Sequence, residues 1–266
     1  MTVPKSAGAK GGIGMTVRLE EIARFLDKEL DIFSIEDESK NGLQVWAPGG
    51  VGRVALAVDA SMETFNKAWK EKCQILVVHH GLIWSGIKSV RGVMYDRLKF
   101  LLDREMALYA AHLPLDKHPE FGNNIQLCRL LGLSSLEGFG SHHGTMIGLE
   151  GVLPKKTPVQ SIADLLREKL SANPLVLSFG KKMVLRVGVV SGSGCAALSE
   201  AIDRGLDCFV TGDANYASYN EIADAGINVI FAGHYATETL GLRALESILR
   251  GKFQIGTVFI DIPPPV

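Results

Sequence analysis

The sequence predicts an α/β protein made of two α/β domains, the second inserted into the first, with a metal site in the cleft between them. Three observations carry that reading. Short apolar, strand-like runs alternate with amphipathic helical stretches, which is the pattern of parallel sheets joined by crossover helices. Histidine-bearing clusters directly follow three of those runs, where open α/β sheets gather their ligand sites. The third cluster, around His234, lies far from the first two around His79 and His112, so the C-terminal segment has to return to the N-terminal unit and leave the middle as an insertion.

Residues 1–14, MTVPKSAGAKGGIG, are rich in Gly and Lys without a hydrophobic period and are expected to be a flexible leader or a cloning remnant. VRLEEIARFLDKEL then places Val17, Leu19, Ile22, Phe25 and Leu26 on one helical face. The runs VALAV (54–58) and QILVV (74–78) flank a helical stretch containing Phe65, Ala68 and Trp69, a parallel crossover unit. ALYAA (107–111) predicts a further strand, and Asn124 is placed to cap the helix IQLCRLLG. GLEGVL, LVLSF and LRVGVVS read as strands around the helix SIADLLREKL; CFVTGD, INVIFAGH and TVFIDI add three more, with helices around 219–225 and ETLGLRALESILRG. The expected organisation is residues 15–122 plus 230–266 as a metal-binding domain and 123–229 as the insertion.

The bulk composition narrows the function. Of 266 residues 47% are hydrophobic, enough for sizeable cores, and 28 basic residues balance 29 acidic ones, so no net charge draws the chain to nucleic acid or an anionic membrane surface. Cys73, Cys128, Cys195 and Cys208 are scattered, form no C-x-x-C pair, and read as reduced thiols. No apolar run approaches the roughly 20 residues of a membrane span. A cytoplasmic location is expected.

The chemistry concentrates in a few side chains. His79 and His80 follow an apolar strand and precede Gly81, where the backbone can turn. Neighbours on an extended strand point to opposite faces, so a two-metal site accommodates both imidazoles naturally. His234 and Glu238 are four residues apart and share a helix face, a common way to present two ligands on one rigid element. Asp116 is the candidate bridging carboxylate, and His112 is either a further ligand or, as favoured, a group that orients one. Three imidazoles and two carboxylates shared by two ions leave open positions, as catalytic sites do and closed structural sites do not. Divalent zinc, iron, manganese, cobalt or nickel suits such mixed donors. Gly192-Ser193-Gly194 is read as a tight turn rather than a phosphate loop, His142 and His143 as solvated loop residues, and Trp84 as an aromatic neighbour of the site able to stack on a ring.

VVHHGLIW, YAAHLPLD, HPEFGNN and AGHYATE, in this order, resemble the Nif-three-like family, also called GTP cyclohydrolase type 2 homologues or dinuclear-metal-centre proteins. The resemblance spans Thr16 to Ile262. It implies that His79, His80, Asp116, His234 and Glu238 hold two divalent ions, and that the chain assembles into a ring-shaped homohexamer whose sites face a central cavity. Two stretches depart from the family pattern, TGDANYASYNE after the strand CFV and GFGSHHG with its additional His142 and His143.

The expected activity is hydrolysis by hydroxide that two ions make available near neutral pH by lowering the pKa of a shared water from about 16 toward about 7. The family label makes GTP the substrate. His112, Tyr235 and Tyr109 are candidate orienting or proton-carrying residues by proximity in sequence. The alternatives are a two-metal phosphoesterase acting on a nucleotide or phosphoester, and a non-catalytic metal-binding or regulatory hexameric scaffold; a nucleotide or other small molecule is the expected substrate.

Overall fold

The computed structural model describes residues 16–265; the expected leader, 1–14, lies outside them. A five-stranded sheet has the order Gly256–Phe259, Arg53–Asp59, Ile75–His80, Ala107–Ala110, Gly42–Val45, with only the last strand antiparallel to its neighbour. Along Arg53–Asp59 and Ile75–His80 the side chains alternate strictly. Val54, Leu56, Val58, Ile75 and Val77 enter one core, while Ala55, Ala57, Leu76 and Val78 enter the other. Both faces are therefore covered, which is why these strands read as unbroken apolar runs.

The first face packs on the helices Leu19–Glu29 and His234–Phe253, through Leu19, Ile22 and Leu26 on one and Leu242, Leu245 and Leu249 on the other. The second packs on Met62–Lys70 and Val93–Asp103 through Phe65, Ala68, Phe100 and Leu101. Each of the Leu, Ile and Phe side chains among these contributes about 1.5–3 kcal/mol on burial.

A six-stranded sheet has the order Ser134–His142, Thr145–Pro158, Met183–Val190, Cys208–Thr211, Asn228–Phe231, Leu175–Ser178. Its three central strands are parallel to one another, and the flanking ones are antiparallel. Helices Asn123–Leu131 and Val159–Leu170 cover one face, and Leu198 and Ala201 of Leu198–Asp203 with Ile222 of Tyr219–Ala225 cover the other. All strands of this sheet come from residues 134–231, and those of the first from 42–110 and 256–259. The helix His234–Phe253 begins three residues after a strand of the second sheet and packs into the core of the first.

Three local expectations are corrected. The strand expected to stop before HHG runs through both histidines, because His80 stays in parallel register with Asp59 of the neighbouring strand. GFGSHHG is no loop: Gly138 to His142 complete a strand, and His143 and Gly144 turn the hairpin at φ 46° and 80°. Asn124 does not cap its helix, whose N-cap is Gly122; its side chain instead donates to the Ile147 carbonyl (2.8 Å) and accepts from the Ser191 amide (2.7 Å). That side chain ties the helix to the strand Thr145–Pro158 and to the residue that follows Met183–Val190.

Candidate metal centre

Residues that end or follow strands of both sheets gather in one cluster of imidazoles and carboxylates. His79 and His80 end the strand Ile75–His80, with ring centroids 4.8 Å apart. Asp116 sits on the short helix Leu113–Lys117, directly beyond the neighbouring strand. His234 and Glu238 occupy the first turn and a half of His234–Phe253, as their spacing predicts. All five candidates come together.

Each is aimed by a partner. His79, completely buried, donates from Nδ1 to the Ala111 carbonyl (2.9 Å), which turns Nε2 inward. His80 Nδ1 bonds Asp59 (2.9 Å) and His234 Nδ1 bonds Asp213 (2.6 Å), with the same effect. Asp116 Oδ1 accepts from Asn123 Nδ2 (2.9 Å) and Ser191 Oγ (2.8 Å), leaving Oδ2 to face His79. Glu238 turns both oxygens into the cluster, Oε1 toward His79 and His234 and Oε2 toward His80.

His234 Nε2 meets Glu238 Oε1 directly at 3.0 Å, while the other separations within the cluster are those of ligands around an ion. His79 Nε2 lies 3.4 Å from both Asp116 Oδ2 and Glu238 Oε1, and His80 Nε2 lies 3.3 Å from Glu238 Oε2. Donors about 2.1 Å from a shared tetrahedral ion are roughly 3.4 Å from one another. His79 Nε2 and Glu238 Oε2 are buried and have no hydrogen-bond partner. A buried polar atom left unsatisfied costs on the order of 1–3 kcal/mol, and a cation between these two atoms would satisfy both.

Electrostatics gives the same picture. Burial resists charging His79, but the Asp116 and Glu238 carboxylates outweigh it and raise its pKa well above the ordinary value. Burial would raise Glu238 and Asp116, yet the facing imidazoles hold both below the usual carboxylate range. The Glu238 hydrogen bond, opposed by burial and aided by Asp213, takes His234 up to about 9. Without an ion the cluster holds protons on its imidazoles, and a cation entering has to displace them.

His112 stands with the candidate ligands. Its Nδ1 bonds Asp37 (2.9 Å), and its ligating nitrogen falls within 4.8 Å of those of His79 and His80; the ligating atoms of His80, His234 and Glu238 form a second such group. With Nδ1 engaged, Nε2 is the atom left for a ligand. Burial works against ionised Asp37, but the His112 hydrogen bond and charge, with Asn41 and Ser39, bring it down to about 2. Trp84 stands beside these groups, its ring 5.0 Å from that of His112. A cavity of about 340 Å³ opens over the cluster and is walled by Trp84, His112, Ser193 and, unexpectedly, His142.

The two tyrosines are elsewhere. Tyr109 is fully buried and donates to Asp27 (2.8 Å) in the core. Tyr235 donates to Asp261 and accepts from the Ile262 amide, both at 2.8 Å, so its hydroxyl anchors the C-terminal segment. Gly192-Ser193-Gly194 is the tight turn expected: the Gly192 carbonyl accepts from the amides of Gly194, Gly212 and Asp213. A Cβ at Gly192, which has φ +61°, would collide with Glu238 Oε1. The cysteines are unpaired, and burial pushes Cys73 and Cys128 up to about 12, which removes them from thiolate chemistry.

Sequence reasoning missed Asp59, Asp213, Asn123, Ser191 and Asp37. Asp59, Ser191 and Asp213 each sit at or just beyond an apolar strand, the same signal that marks the histidines. Asp37 lies in an irregular segment and carries no such signal.

Comparison with known proteins closes the assignment. The Duf34/NIF3 (NGG1p interacting factor 3) family matches residues 17–265. A protein of Archaeoglobus fulgidus named GTP cyclohydrolase 1 type 2 homolog is 47% identical over 247 residues, covering 93% of this chain and 99% of that one. One of Pyrococcus horikoshii with the same name is 48% identical over 92% of this chain and 98% of its own. Among solved structures, TTHA1606 from Thermus thermophilus is 39% identical with a TM-score of 0.86 over 93% of this chain and 99% of that one. The protein ybgI, of unknown function, is 33% identical with a TM-score of 0.88 over 95% and 100%. This chain belongs to the Duf34/NIF3 family.

Proposed function

We propose that the protein is a metal-dependent hydrolase with a dinuclear centre held by His79, His80, Asp116, His234 and Glu238, and with His112 as a sixth ligand. The pair of buried, unpartnered atoms, His79 Nε2 and Glu238 Oε2, carries this reading. Nitrogen and carboxylate donors in this mixture suit zinc, iron, manganese, cobalt or nickel. Such ions, when bound, supply Lewis-acid charge and an activated water.

The chain's own residues do the rest. Glu238, with Oε1 facing His79 and His234 and Oε2 facing His80, would be a ligand through both oxygens, while Asp116, with Oδ1 tied to Asn123 and Ser191, would offer Oδ2. Ala111, Asp59, Asp213 and Asp37 hold the four imidazoles in orientation. Trp84 offers a flat wall for a planar ring. The name of the relatives makes GTP the first substrate to try, with other nucleotides and phosphoesters next.

The same reading includes an inserted 123–229 domain, supported by the origin of the strands in each sheet, and a homohexamer. Exposed Phe33, Trp46, Val93 and Leu102 supply apolar surface for contacts between copies. None of the helices among the described residues is long and apolar enough to cross a membrane. The test is elemental analysis of protein purified without added metal, paired with a nucleotide-hydrolysis screen on wild type and Glu238→Gln. About two ions per chain with turnover lost in the variant is the expected result; metal without turnover in the wild type defeats the hydrolase.

A further inference from the structure

His80 separates two cavities. Its Nε2 faces Glu238 in the cluster, whereas its Nδ1 bonds Asp59, which lines a second cavity of about 530 Å³. That cavity is walled by Asp59, Ser61, Thr64, Arg97, Tyr235 and the prolines at 263–265. Nothing in the metal chemistry uses it.

Arg97 is its unusual member. The side chain comes from the helix Val93–Asp103, and its Nε is buried without a hydrogen-bond partner among the described residues. Guanidinium stays charged at any physiological pH and presents its donors in a planar fork. The carboxylates in the same wall are already engaged, Asp59 with His80 at 2.9 Å and Glu63 with Lys67 at 3.0 Å. Other arginines of the chain meet an acidic partner directly, as Arg53 does with Glu71 at 2.9 Å and Arg243 with Asp261 at 2.9 Å. Arg97 is a cation in a cavity wall whose anion is not supplied by a described residue.

We propose that this cavity is an oxyanion subsite, in which Arg97 holds a phosphate or carboxylate group of the substrate while the reacting part of the same molecule lies across His80 at the cluster. The proposal rests on the metal-centre reading for the second half of that statement only. The cavity is far larger than a bare anion needs, so the group it takes belongs to a longer molecule, and the wall of Ile260, Ile262 and prolines suits that molecule's less polar stem.

The test titrates inorganic phosphate, and separately acetate, into the full chain in metal-loaded and chelator-stripped forms. The readout is the ¹⁵N–¹H signal of the arginine Nε groups, with the Arg97 resonance identified by its loss in Arg97→Lys. A shift of that resonance in both forms is expected. In the stripped protein, with binding of the same anions to the variants followed by isothermal calorimetry, Arg97→Gln should weaken binding roughly tenfold or more and Arg97→Lys by less, because lysine loses the fork but keeps the charge. Stronger response to phosphate than to acetate selects the phosphate source, and the reverse selects the carboxylate. An Arg97 signal that neither anion moves overturns the subsite, as does binding that needs metal and is unchanged in both variants. Arg97 responding in a protein that takes up no metal retains the subsite and removes the dinuclear centre instead.

Discussion

The tripeptide His-His-Gly occurs twice, at His79-His80-Gly81 and at His142-His143-Gly144, and the two copies have opposite fates. The first ends a parallel strand covered on both faces, with His79 completely buried. Desolvation there fixes both rings through Nδ1, on the Ala111 carbonyl and on Asp59, and turns both Nε2 atoms toward Asp116 and Glu238. The second stands at the tip of an antiparallel hairpin, where the rings lie 4.4 Å apart and neither joins a possible metal-holding group among the described residues. Water satisfies an exposed imidazole at little cost, so it has no need of fixed donors or charges. Burial, with the carboxylates it brings in, separates the two copies.

That contrast is broken most severely by His79→Ala. It removes a donor from the middle of the cluster and leaves Asp116 and Glu238 facing each other, so metal content should fall from about two ions per chain to one or none. Retention of both ions in this variant would contradict the ligand assignment. Gly192→Ala comes next. Its methyl collides with Glu238 and sits at a φ unfavourable to any side chain, so a loss of about 1–3 kcal/mol in denaturant unfolding is expected, together with impaired metal uptake. An unfolding midpoint equal to wild type would show that the turn can give way.

Removing an orienting group has a smaller effect. Asp213→Ala frees the His234 ring, and competition with a chelator should show a metal affinity about 10–100-fold weaker, with the ions still bound at saturation. Equal chelator curves would mean that Glu238 alone aims the ring.

The metal-free protein should also respond to pH. His234 is raised from 6.5 to about 9 in the folded state, so its stabilising contribution is complete below 6.5 and is lost as pH rises through about 9. Asp116 and Glu238 are lowered from 3.8 and 4.5, so theirs is present above those values and is lost on acidification. Melting temperatures of stripped protein should fall on both sides of neutrality, whereas metal affinity should rise steadily with pH because ions and protons compete. A stripped protein whose melting temperature keeps climbing from pH 7 to 10 would refute the assignment for His234. The smallest effect belongs to the second copy of the tripeptide. His142→Ala should leave metal content unchanged and stability within about 0.5 kcal/mol, and any effect on turnover would place that ring in contact with substrate in the cavity it lines.

Much of the site was legible before folding. The histidines and Asp116 announce themselves because a strand that is apolar to its last residue leaves its end as the place where polar chemistry can begin, and His234 and Glu238 because a helix repeats near every fourth residue. Asp37 was illegible, since nothing local marks an acidic residue whose partner, His112, is 75 positions away. Asn124 was misread as a cap because the sequence shows its position beside a helix but not the Ser191 amide that competes for its oxygen.

The sequence by itself determined the α/β class, the strands and helices near their observed positions, and a family membership carried by four ordered motifs. These follow from local periodicity and residue chemistry, which do not depend on distant partners. Only the tertiary structure decided that Glu238 turns both oxygens into the cluster, that His112 reaches it too, that His142 walls the cavity, and that Arg97 lies in a second cavity across His80. The physical reason is that side-chain direction and burial are set by contacts between segments far apart in the chain, and no pattern within a short window encodes them.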